Sequence, residues 1–359
     1  MTRFAVARAL LMAILATLAP LNGASVRAAE PEASARFGSP QAATRLRVLG
    51  TTDVASFAPL LEAFTVAVPE LWVEYEQWSS NALFVEAAAA CGRDAALADL
   101  IVSSAVDQQV RLVNDGCARP HASVATAALP PGMNWRDELF GVTREPAVIV
   151  YNRDAVPEAE APRSRFDLID LLRPDNGRYA GRVATYDIDA SGLGYLFAFA
   201  DSQAAATFGS LLEALGRSGA ETICCSREIL DGIADGRYLI AYNVLGSYAL
   251  DRAASDPRIA VVAPEDYTLV LSRAAMIPRA AENPTGAGLL VDFMLSEPGR
   301  AALAATHLLM PGGAQATGGL PEEDASRYRQ IRLSPALLLG LDARKRASFL
   351  ARWRAAFGP

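Results

Sequence analysis

Apolar and polar positions follow one another along this chain in two alternating patterns. Short β-branched or strictly alternating runs, typical of strands, precede stretches whose apolar residues recur at helical spacing. The predicted strands cover residues 46–50, 71–76, 97–102, 182–186, 238–244 and 259–263. Because helices are predicted between them, the pattern indicates an α/β fold.

Two further extended runs interrupt this alternation. Ala147–Tyr151 is continuously apolar, which is typical of a strand buried on both faces, and Tyr267–Ser272 is a second such run. The first run lies between two α/β units and the second leads into a helical tail, so we expect a hinged clamshell with two crossings and its ligand in the cleft. The predicted division assigns residues 45–145 and 273–359 to lobe 1 and residues 146–272 to lobe 2, with hinge strands at 146–152 and 267–272.

The N-terminus has the features of an export signal. Arg3 and Arg8 precede the apolar run Ala9–Leu18, and small residues follow around Ala28. We interpret residues 1–28 as a secretory signal peptide, with a retained anchor as the alternative, and residues 29–44 as a disordered leader. Export of this kind places the mature protein in the periplasm.

Length and charge narrow the function classes. A chain of 359 residues is long for one core, so two domains are expected. The net charge of −7 becomes −10 without the three arginines of the signal peptide, and this argues against a nucleic-acid partner. It does not fix the sign of a ligand, because the charge of a cleft and that of a whole protein are separate quantities.

The four cysteines fit an oxidising compartment. Cys91 and Cys117 could pair within one lobe, whereas a bridge between the adjacent Cys224 and Cys225 would be strained. With only two histidines and no CxxC motif, neither a zinc site nor any other metal site or cofactor is predicted.

Small hydroxyl residues and glycines recur where a predicted strand gives way to a helix. In an open α/β sheet, ligands bind beyond the carboxyl ends of the strands, where helix N-termini favour an anion. Any one of these residues alone is best interpreted as a plain N-cap, and it is their recurrence at five such positions across both lobes that favours ligand contact. The candidate ligand contacts of this type are Thr52, Ser79, Ser80, Ser103, Ser104, Ser191, Gly192 and Ser247.

Two arginines and two tyrosines complete the candidate site. Arg144 and Arg273 flank the predicted hinge and could clamp a carboxylate or phosphate, or form a structural ion pair there. Tyr242 and Tyr248 could pack against a small organic ligand or, as phenolates, bind Fe(III). No histidine and carboxylate set that would assist iron binding can be placed beside them.

Motifs of catalysis are missing from the sequence. It contains no GxSxG, HExxH, Walker or SxxK motif. Asp187–Gly192 begins like a calcium loop, but Ala198 stands where the bidentate glutamate is required. We therefore do not expect an enzyme.

Four segments carry a resemblance to a known family: Ala98–Gly116, Glu145–Asn152, Ala241–Ala249 and Asp266–Arg273. They are similar to bacterial periplasmic solute-binding proteins of the ferric-binding-like branch. More narrowly, the chain resembles substrate-binding proteins of ABC transporters and phosphoglycerate transport regulatory proteins, which work beside a two-component sensor kinase. The resemblance covers nearly the whole mature chain and is more specific for the fold than for the ligand.

The resemblance implies a two-lobed periplasmic-binding-protein clamshell, type II-like, that is a monomer and closes on a small solute. The partner would be an ABC permease or the periplasmic domain of a sensor histidine kinase. Iron-binding relatives carry two neighbouring tyrosines in the second lobe. Tyr242 and Tyr248 are instead separated by five residues, so a small anionic solute is expected and ferric iron is the alternative.

Overall fold

The computed structural model describes residues 30–173, 177–310 and 327–358, so the predicted signal peptide lies outside the described residues. The strands are β1 Ala33–Phe37, β2 Thr44–Gly50, β3 Leu71–Gln77, β4 Leu100–Ser103, β5 Asn134–Trp135, β6 Leu139–Gly141, β7 Glu145–Asn152, β8 Val183–Tyr186, β9 Glu221–Ile223, β10 Ile240–Leu245, β11 Ile259–Val262, β12 Thr268–Leu271, β13 Ala274–Met276 and β14 Tyr328–Gln330. The helices are α1 Val54–Ala67, α2 Ser80–Gly92, α3 Val106–Asn114, α4 Val124–Ala127, α5 Arg165–Leu172, α6 Gly192–Ala204, α7 Phe208–Arg217, α8 Ser226–Ala234, α9 Gly246–Ser255, α10 Pro284–Leu295, α11 Glu297–Ala305, α12 Leu338–Leu341 and α13 Ala343–Phe357. None of the helices in these ranges is long and apolar enough to cross a membrane.

The first sheet has the strand order β1-β3-β2-β4-β13-β6-β5. Strand β2 pairs in parallel with β3 and with β4, as expected when α1 connects β2 to β3 and α2 connects β3 to β4. The apolar side chains of these strands pack with α1, α10 and α11 in one buried cluster. This arrangement brings the carboxyl ends of β2, β3 and β4 to one edge of the sheet.

Strand β1 corrects one expectation. Its residues Ala33–Phe37 fall within the segment 29–44 predicted as a disordered leader, yet they pair antiparallel with β3 from Ala33 opposite Gln77 to Phe37 opposite Val73. The strand lies at the edge of the sheet and buries little surface, so its composition of small and polar residues carries no strong apolar signal.

The second sheet has the order β14-β12-β7-β10-β8-β9, with β11 also beside β7. Strands β8, β9 and β10 are parallel, whereas β7 runs antiparallel to β10. Every residue of β7 is buried, in agreement with the apolar run that predicted it. The carboxyl ends of β8, β9 and β10 face the first lobe.

Two antiparallel connections join the sheets. Strand β6 of the first sheet leads into β7 of the second, and β12 of the second leads back into β13 of the first. The two paths stay paired across the boundary, since Ala274 lies opposite Gly141, the amide of Val142 donates to the carbonyl of Arg273 at 2.9 Å, and Leu271 lies opposite Glu145. The prediction of a two-lobed α/β clamshell with hinge strands is confirmed.

The C-terminal segment packs on the second lobe. Strand β14 pairs in parallel with β12, and the apolar face of α13 buries Phe349, Leu350 and Trp353 against α6 and α7. The predicted division assigned all of 273–359 to lobe 1, whereas in the structure β14 pairs with the second sheet and α13 packs on α6 and α7, while α12 contacts α3 of the first lobe. The physical reason is the aromatic surface of α6 and α7, which matches the apolar stripe of α13.

A disulfide joins Cys91, near the end of α2, to Cys117, after α3, with a Cα–Cα distance of 5.4 Å. It fixes the two helices of the first lobe whose N-termini approach the cleft.

Candidate ligand-binding cavity between the lobes

A cavity of about 290 Å³ lies between the two lobes, at the edge where the parallel strands of both sheets end. Its wall is rich in hydroxyl groups and carries one tryptophan, Trp78. The hydroxyl residues are Thr51, Ser79, Ser80, Ser104, Tyr186, Ser191, Ser226 and Tyr248. Such a hydroxyl-bearing space suits a small solute with several hydrogen-bonding groups.

Helices α2, α6 and α8 begin at this wall. Ser79 caps α2 by accepting from the amide of Ala82 at 3.4 Å, and Ser191 caps α6 by accepting from the amide of Gly194 at 3.1 Å. Cys225 stands at the cap position of α8 without a side-chain cap. The serines are therefore N-caps and cavity residues at once. Because the first amides of a helix carry partial positive charge, N-termini from both lobes direct a positive potential toward the same space.

The lobes contact each other across the cleft. The amide of Gly192 donates to Oγ of Ser80 at 3.0 Å, and Nδ2 of Asn81 donates to the carbonyls of Asp189 at 3.1 Å and Ala190 at 2.9 Å. A Cβ at Gly192 would lie 2.7 Å from Nε2 of Gln108 and 2.8 Å from Oγ of Ser80, so a larger residue would force these side chains to shift. These bonds hold the lobes in a closed arrangement.

Asp53 is a second contact point across the cleft. Its carboxylate accepts from the hydroxyl of Tyr248 at 3.0 Å and pairs with Arg227, while its amide donates to the same tyrosine at 3.1 Å. Arg227 is largely exposed, and the hydrogen bond that it donates to the carboxylate of Asp53 raises the pKa of its guanidinium. An incoming anion could share Arg227 with Asp53 at little desolvation cost.

Arg273 is engaged with Glu145 at the hinge. The Arg273 side chain is 1% exposed, and its Nε lies 2.9 Å from Oε1 of Glu145, which is 0% exposed. Its Nη1 also donates to the carbonyl of Thr51 at 3.3 Å. Burial alone would lower the pKa of Arg273, but the charge of Glu145 keeps it above its ordinary value. Arg273 thus borders the cavity as one half of a structural ion pair, the alternative that the sequence left open.

The cavity tyrosines are neutral hydrogen-bonding groups. Burial raises the pKa of Tyr186 to about 12, and its hydroxyl bonds to Oγ of Ser226 at 2.6 Å and accepts from the amide of Leu245 at 3.1 Å. Burial also raises the pKa of Tyr248. Neither side chain is poised to become a phenolate at neutral pH.

The structure brings together about half of the predicted contacts. Ser79, Ser80, Ser104, Ser191, Tyr248 and Arg273 border the cavity. Gly192 lies at its edge, where its amide reaches Ser80.

Thr52, Ser103 and Ser247 are buried in the protein instead of facing the cavity. Thr52 is 0% exposed, and the preceding residue, Thr51, takes the position at the wall. Ser103 Oγ accepts from the amide of Ala105 at 3.2 Å, and Ser247 donates to Glu145. Thr51 and Thr52 follow the end of β2, and of the two only Thr51 borders the cavity.

Arg144 and Tyr242 also lie elsewhere. The Arg144 backbone bridges to Leu309 behind the hinge, and burial lowers the pKa of its half-buried guanidinium. The Tyr242 hydroxyl donates to Asp201, which also binds Arg165 and the hydroxyl of Tyr267. Tyr242 is therefore part of a buried structural network of the second lobe.

Some cavity residues were not predicted. Trp78, Ser226 and Arg227 border the cavity although sequence reasoning did not select them. The segment before Ser226 follows β9, which has only three residues, so no strand was predicted there to mark a ligand-facing edge. The signal available in the sequence was Ser226, a polar residue that directly follows Cys224 and Cys225 at the start of a predicted helix.

Metal ligands do not gather in the described part of the chain. No group of three or more His, Cys, Asp or Glu residues within residues 30–173, 177–310 and 327–358 is arranged to hold a metal ion.

Comparison with known proteins gives a consistent picture. The profile of the family described as bacterial extracellular solute-binding protein matches residues 95–330. The structure of the substrate binding protein of an ABC transporter from Agrobacterium tumefaciens is 31% identical, with a TM-score of 0.83, and the match covers 91% of this chain and 98% of that one. A search of curated proteins found no match.

More distant structures share the fold. AfuA from Actinobacillus pleuropneumoniae, solved with exogenous fructose-6-phosphate bound, is 14% identical with a TM-score of 0.69 and coverages of 87% and 98%. Iron-bound HitA from Pseudomonas aeruginosa is 17% identical with a TM-score of 0.67 and coverages of 87% and 99%. The profile match over most of the chain and the similarity to the Agrobacterium protein show that this protein belongs to the bacterial extracellular solute-binding protein family.

Proposed function

We propose that this protein captures a small anionic solute, bearing a phosphate or carboxylate group, in the periplasm and presents it to an ABC permease. The observation that carries the proposal is the convergence of the N-termini of α2, α6 and α8 on one hydroxyl-lined cavity. The partial positive charge at these helix starts favours an anion there. Arg227, exposed at the same wall, supplies a full positive charge.

Acidic groups at the wall limit which anions fit. Glu32, Asp53 and Glu228 also border the cavity, and Asp53 is paired with Arg227. A compact ligand with a charged end and a neutral polar body meets this distribution better than a polyanion does. The charged end lies at the helix starts, and the neutral hydroxyl groups of the ligand face Tyr186, Tyr248 and Trp78. The fructose-6-phosphate bound by the structural relative AfuA has this chemistry.

Ferric iron is a weaker candidate. Tyr242 is buried with Asp201, and Tyr248 donates to Asp53, so the two tyrosines do not share a space in which both could bind one ion. Their raised pKa values disfavour the phenolate form that Fe(III) requires. Iron binding in HitA is therefore not transferred to this chain.

The proposed mechanism is closure of the lobes about the paired hinge strands. The helix starts of α2 belong to the first lobe and those of α6 and α8 to the second, so one anion can interact with both only when the cleft is closed. The ligand thereby raises the population of the closed form, which the partner recognises. The resemblance to regulatory binding proteins suggests a second partner, a sensor histidine kinase reading the same closed form. The proposal involves no catalytic step and treats the protein as a monomer.

A thermal-shift screen of residues 29–359 tests the proposal. The probes are fructose 6-phosphate, 3-phosphoglycerate and inorganic phosphate, compared with fructose and ferric citrate. A ligand that binds only the folded protein stabilises it by about 2.7 kcal/mol at a concentration 100 times Kd. At least one phosphorylated probe should raise the midpoint, whereas fructose should not.

Variants connect the shift to the cavity. Arg227→Gln should reduce the shift given by the phosphorylated probe, because it removes the exposed cation at the wall. The matched control is Arg217→Gln on α7, an arginine of similar exposure paired with Glu213. Equal shifts with fructose, or a shift that ferric citrate gives and iron-free citrate does not, would overturn the anionic proposal. A pull-down experiment compares binding of the ligand-loaded protein to membranes that contain the permease with its binding to the isolated periplasmic domain of the kinase. Binding to one and not to the other identifies the partner.

A further inference from the structure

The free cysteines Cys224 and Cys225 form part of the cavity wall. They stand between β9 and α8, and both side chains are half-buried. Their Sγ atoms lie 2.6 Å apart, with Cys225 donating to Cys224. The remaining cysteines of the sequence, Cys91 and Cys117, are already bonded to each other.

We propose that Cys224 and Cys225 are a reversible dithiol–disulfide pair whose oxidation alters the wall of the ligand cavity. Their sulfur atoms are in contact, they open on a solvent-connected space, and the protein carries another disulfide typical of an oxidising compartment. Contact between sulfur atoms and access for an oxidant are the conditions that thiol–disulfide exchange requires.

Cys224 is the attacking group. The hydrogen bond from Cys225 lowers the pKa of the Cys224 thiol, and a thiolate is the nucleophile in exchange. The thiolate attacks a disulfide oxidant such as glutathione disulfide, forms a mixed disulfide at Cys224 and releases one glutathione thiolate. That thiolate takes the proton of Cys225, whose sulfur attacks Sγ of Cys224 and releases the second glutathione as a thiolate that is protonated by solvent. Two protein thiols are oxidised, and one glutathione disulfide is reduced to two glutathione thiols.

Geometry makes the bond labile. Adjacent Cα atoms are about 3.8 Å apart across a trans peptide, whereas disulfides usually join Cα atoms about 4.4–6.8 Å apart. Strained and exposed disulfides are the readily reduced, regulatory ones. The structural bridge between Cys91 and Cys117, with its Cα–Cα distance of 5.4 Å, meets the usual spacing.

Oxidation would move residues that the cavity uses. Forming the bond brings the sulfur atoms from 2.6 Å to about 2.05 Å and closes a short ring around the peptide between Cys224 and Cys225, so its strain falls directly on the start of α8. Ser226 binds the hydroxyl of Tyr186, and Arg227 pairs with Asp53 across the cleft. A displaced start of α8 therefore weakens the contact between the lobes. The effect on solute capture rests on the proposed function, but the thiol chemistry and the displacement do not.

Mass spectrometry tests the chemistry on mature protein. After mild reduction, glutathione disulfide is added, free thiols are alkylated and the peptide that contains both cysteines is weighed. The expected product lacks two hydrogen atoms, carries no alkyl group or glutathione, and reverts with dithiothreitol. Cys224→Ser and Cys225→Ser should prevent this product, and each should leave a lone thiol that is alkylated or carries glutathione. A Cys91→Ser/Cys117→Ser variant should still form it.

Hydrogen exchange tests the displacement without any ligand. The amides at the start of α8 should exchange at least about fivefold faster in the oxidised form, and this change should be missing in Cys224→Ser treated in the same way. If Cys224 and Cys225 are both still alkylated after treatment with glutathione disulfide, the proposal is overturned. Identical hydrogen exchange in the reduced and oxidised forms would also overturn it. Failure of every anion in the thermal-shift screen would overturn only the proposed solute.

Discussion

The buried pair of Arg273 and Glu145 is the strongest test of how the hinge is held together. Both side chains are almost fully enclosed, and the carboxylate of Glu145 also accepts from Thr143 at 2.7 Å and from Ser247. Removing one partner of such a pair leaves a buried charge without compensation, which costs about 3–5 kcal/mol. Removing both charges leaves no such penalty.

We therefore expect Arg273→Met and Glu145→Gln each to lower the free energy of unfolding by about 3–5 kcal/mol. The double variant should be less destabilised than the sum of the two, with a coupling energy of about 3 kcal/mol. Urea unfolding followed by far-UV circular dichroism at pH 7 measures all four proteins. The coupling arises because the second substitution removes the charge that the first one left unpaired.

A surface pair supplies the control. Arg279 and Asp94 are 3.0 Å apart with side chains 48% and 73% exposed, so the cycle of Arg279→Met and Asp94→Asn should give a coupling below about 1 kcal/mol. If the two single variants at the hinge unfold within about 1 kcal/mol of the parent protein, the pair does not stabilise the hinge. Additive effects of the two hinge substitutions would likewise refute the reasoning.

Three other perturbations have defined outcomes. Replacing Cys91 and Cys117 by serine opens a link with a sequence separation of 26 residues and should cost about 3.5 kcal/mol of unfolding free energy by chain entropy, seen as a lower urea midpoint. Burial raises the pKa of Asp107 to about 7 from its ordinary value of 3.8, so the folded protein holds a proton that the unfolded chain releases, and stability falls as pH rises through that interval. Asp107→Asn should remove this loss and stabilise the protein at pH 8 by about 2 kcal/mol or more, whereas an unchanged pH profile would contradict the raised pKa. Gly192→Ala places a methyl group against Ser80, so small-angle scattering should show a more open particle, with little change in unfolding midpoint; unchanged compaction would refute the role of that contact.

Strong local signals made most of the fold predictable. The buried strand β7 was predicted from a continuous apolar, β-branched run. The helices with regular apolar spacing were predicted near their observed bounds. Strands β1 and β9 were missed because an edge strand and a three-residue strand bury too little apolar surface to leave a pattern. Long, buried elements are thus readable, and short peripheral ones are not.

The site was predictable only in outline. Serines at helix starts indicated where the cavity lies, but the choice of Thr52 over Thr51 depended on which face of the chain turns inward. The bond between Arg273 and Glu145 spans 128 positions and arises from the antiparallel alignment of the hinge strands. A contact of that kind depends on tertiary structure, so spacing along the chain could not distinguish a ligand clamp from a structural ion pair.

The location of α13 on the second lobe has a practical consequence. The chain returns to the first lobe in α10 and α11 and then joins the second lobe again through β14. The residues of α13 therefore move together with the second lobe, although α11 precedes them on the first. Arg354 on α13 also binds the carboxylate of Asp189, whose carbonyl accepts from Asn81 of the first lobe. A fluorophore near the end of α13 and a second dye on α11 would report the distance between the two lobes by energy transfer. Opening and closing of the cleft could then be followed with no substitution inside the cavity.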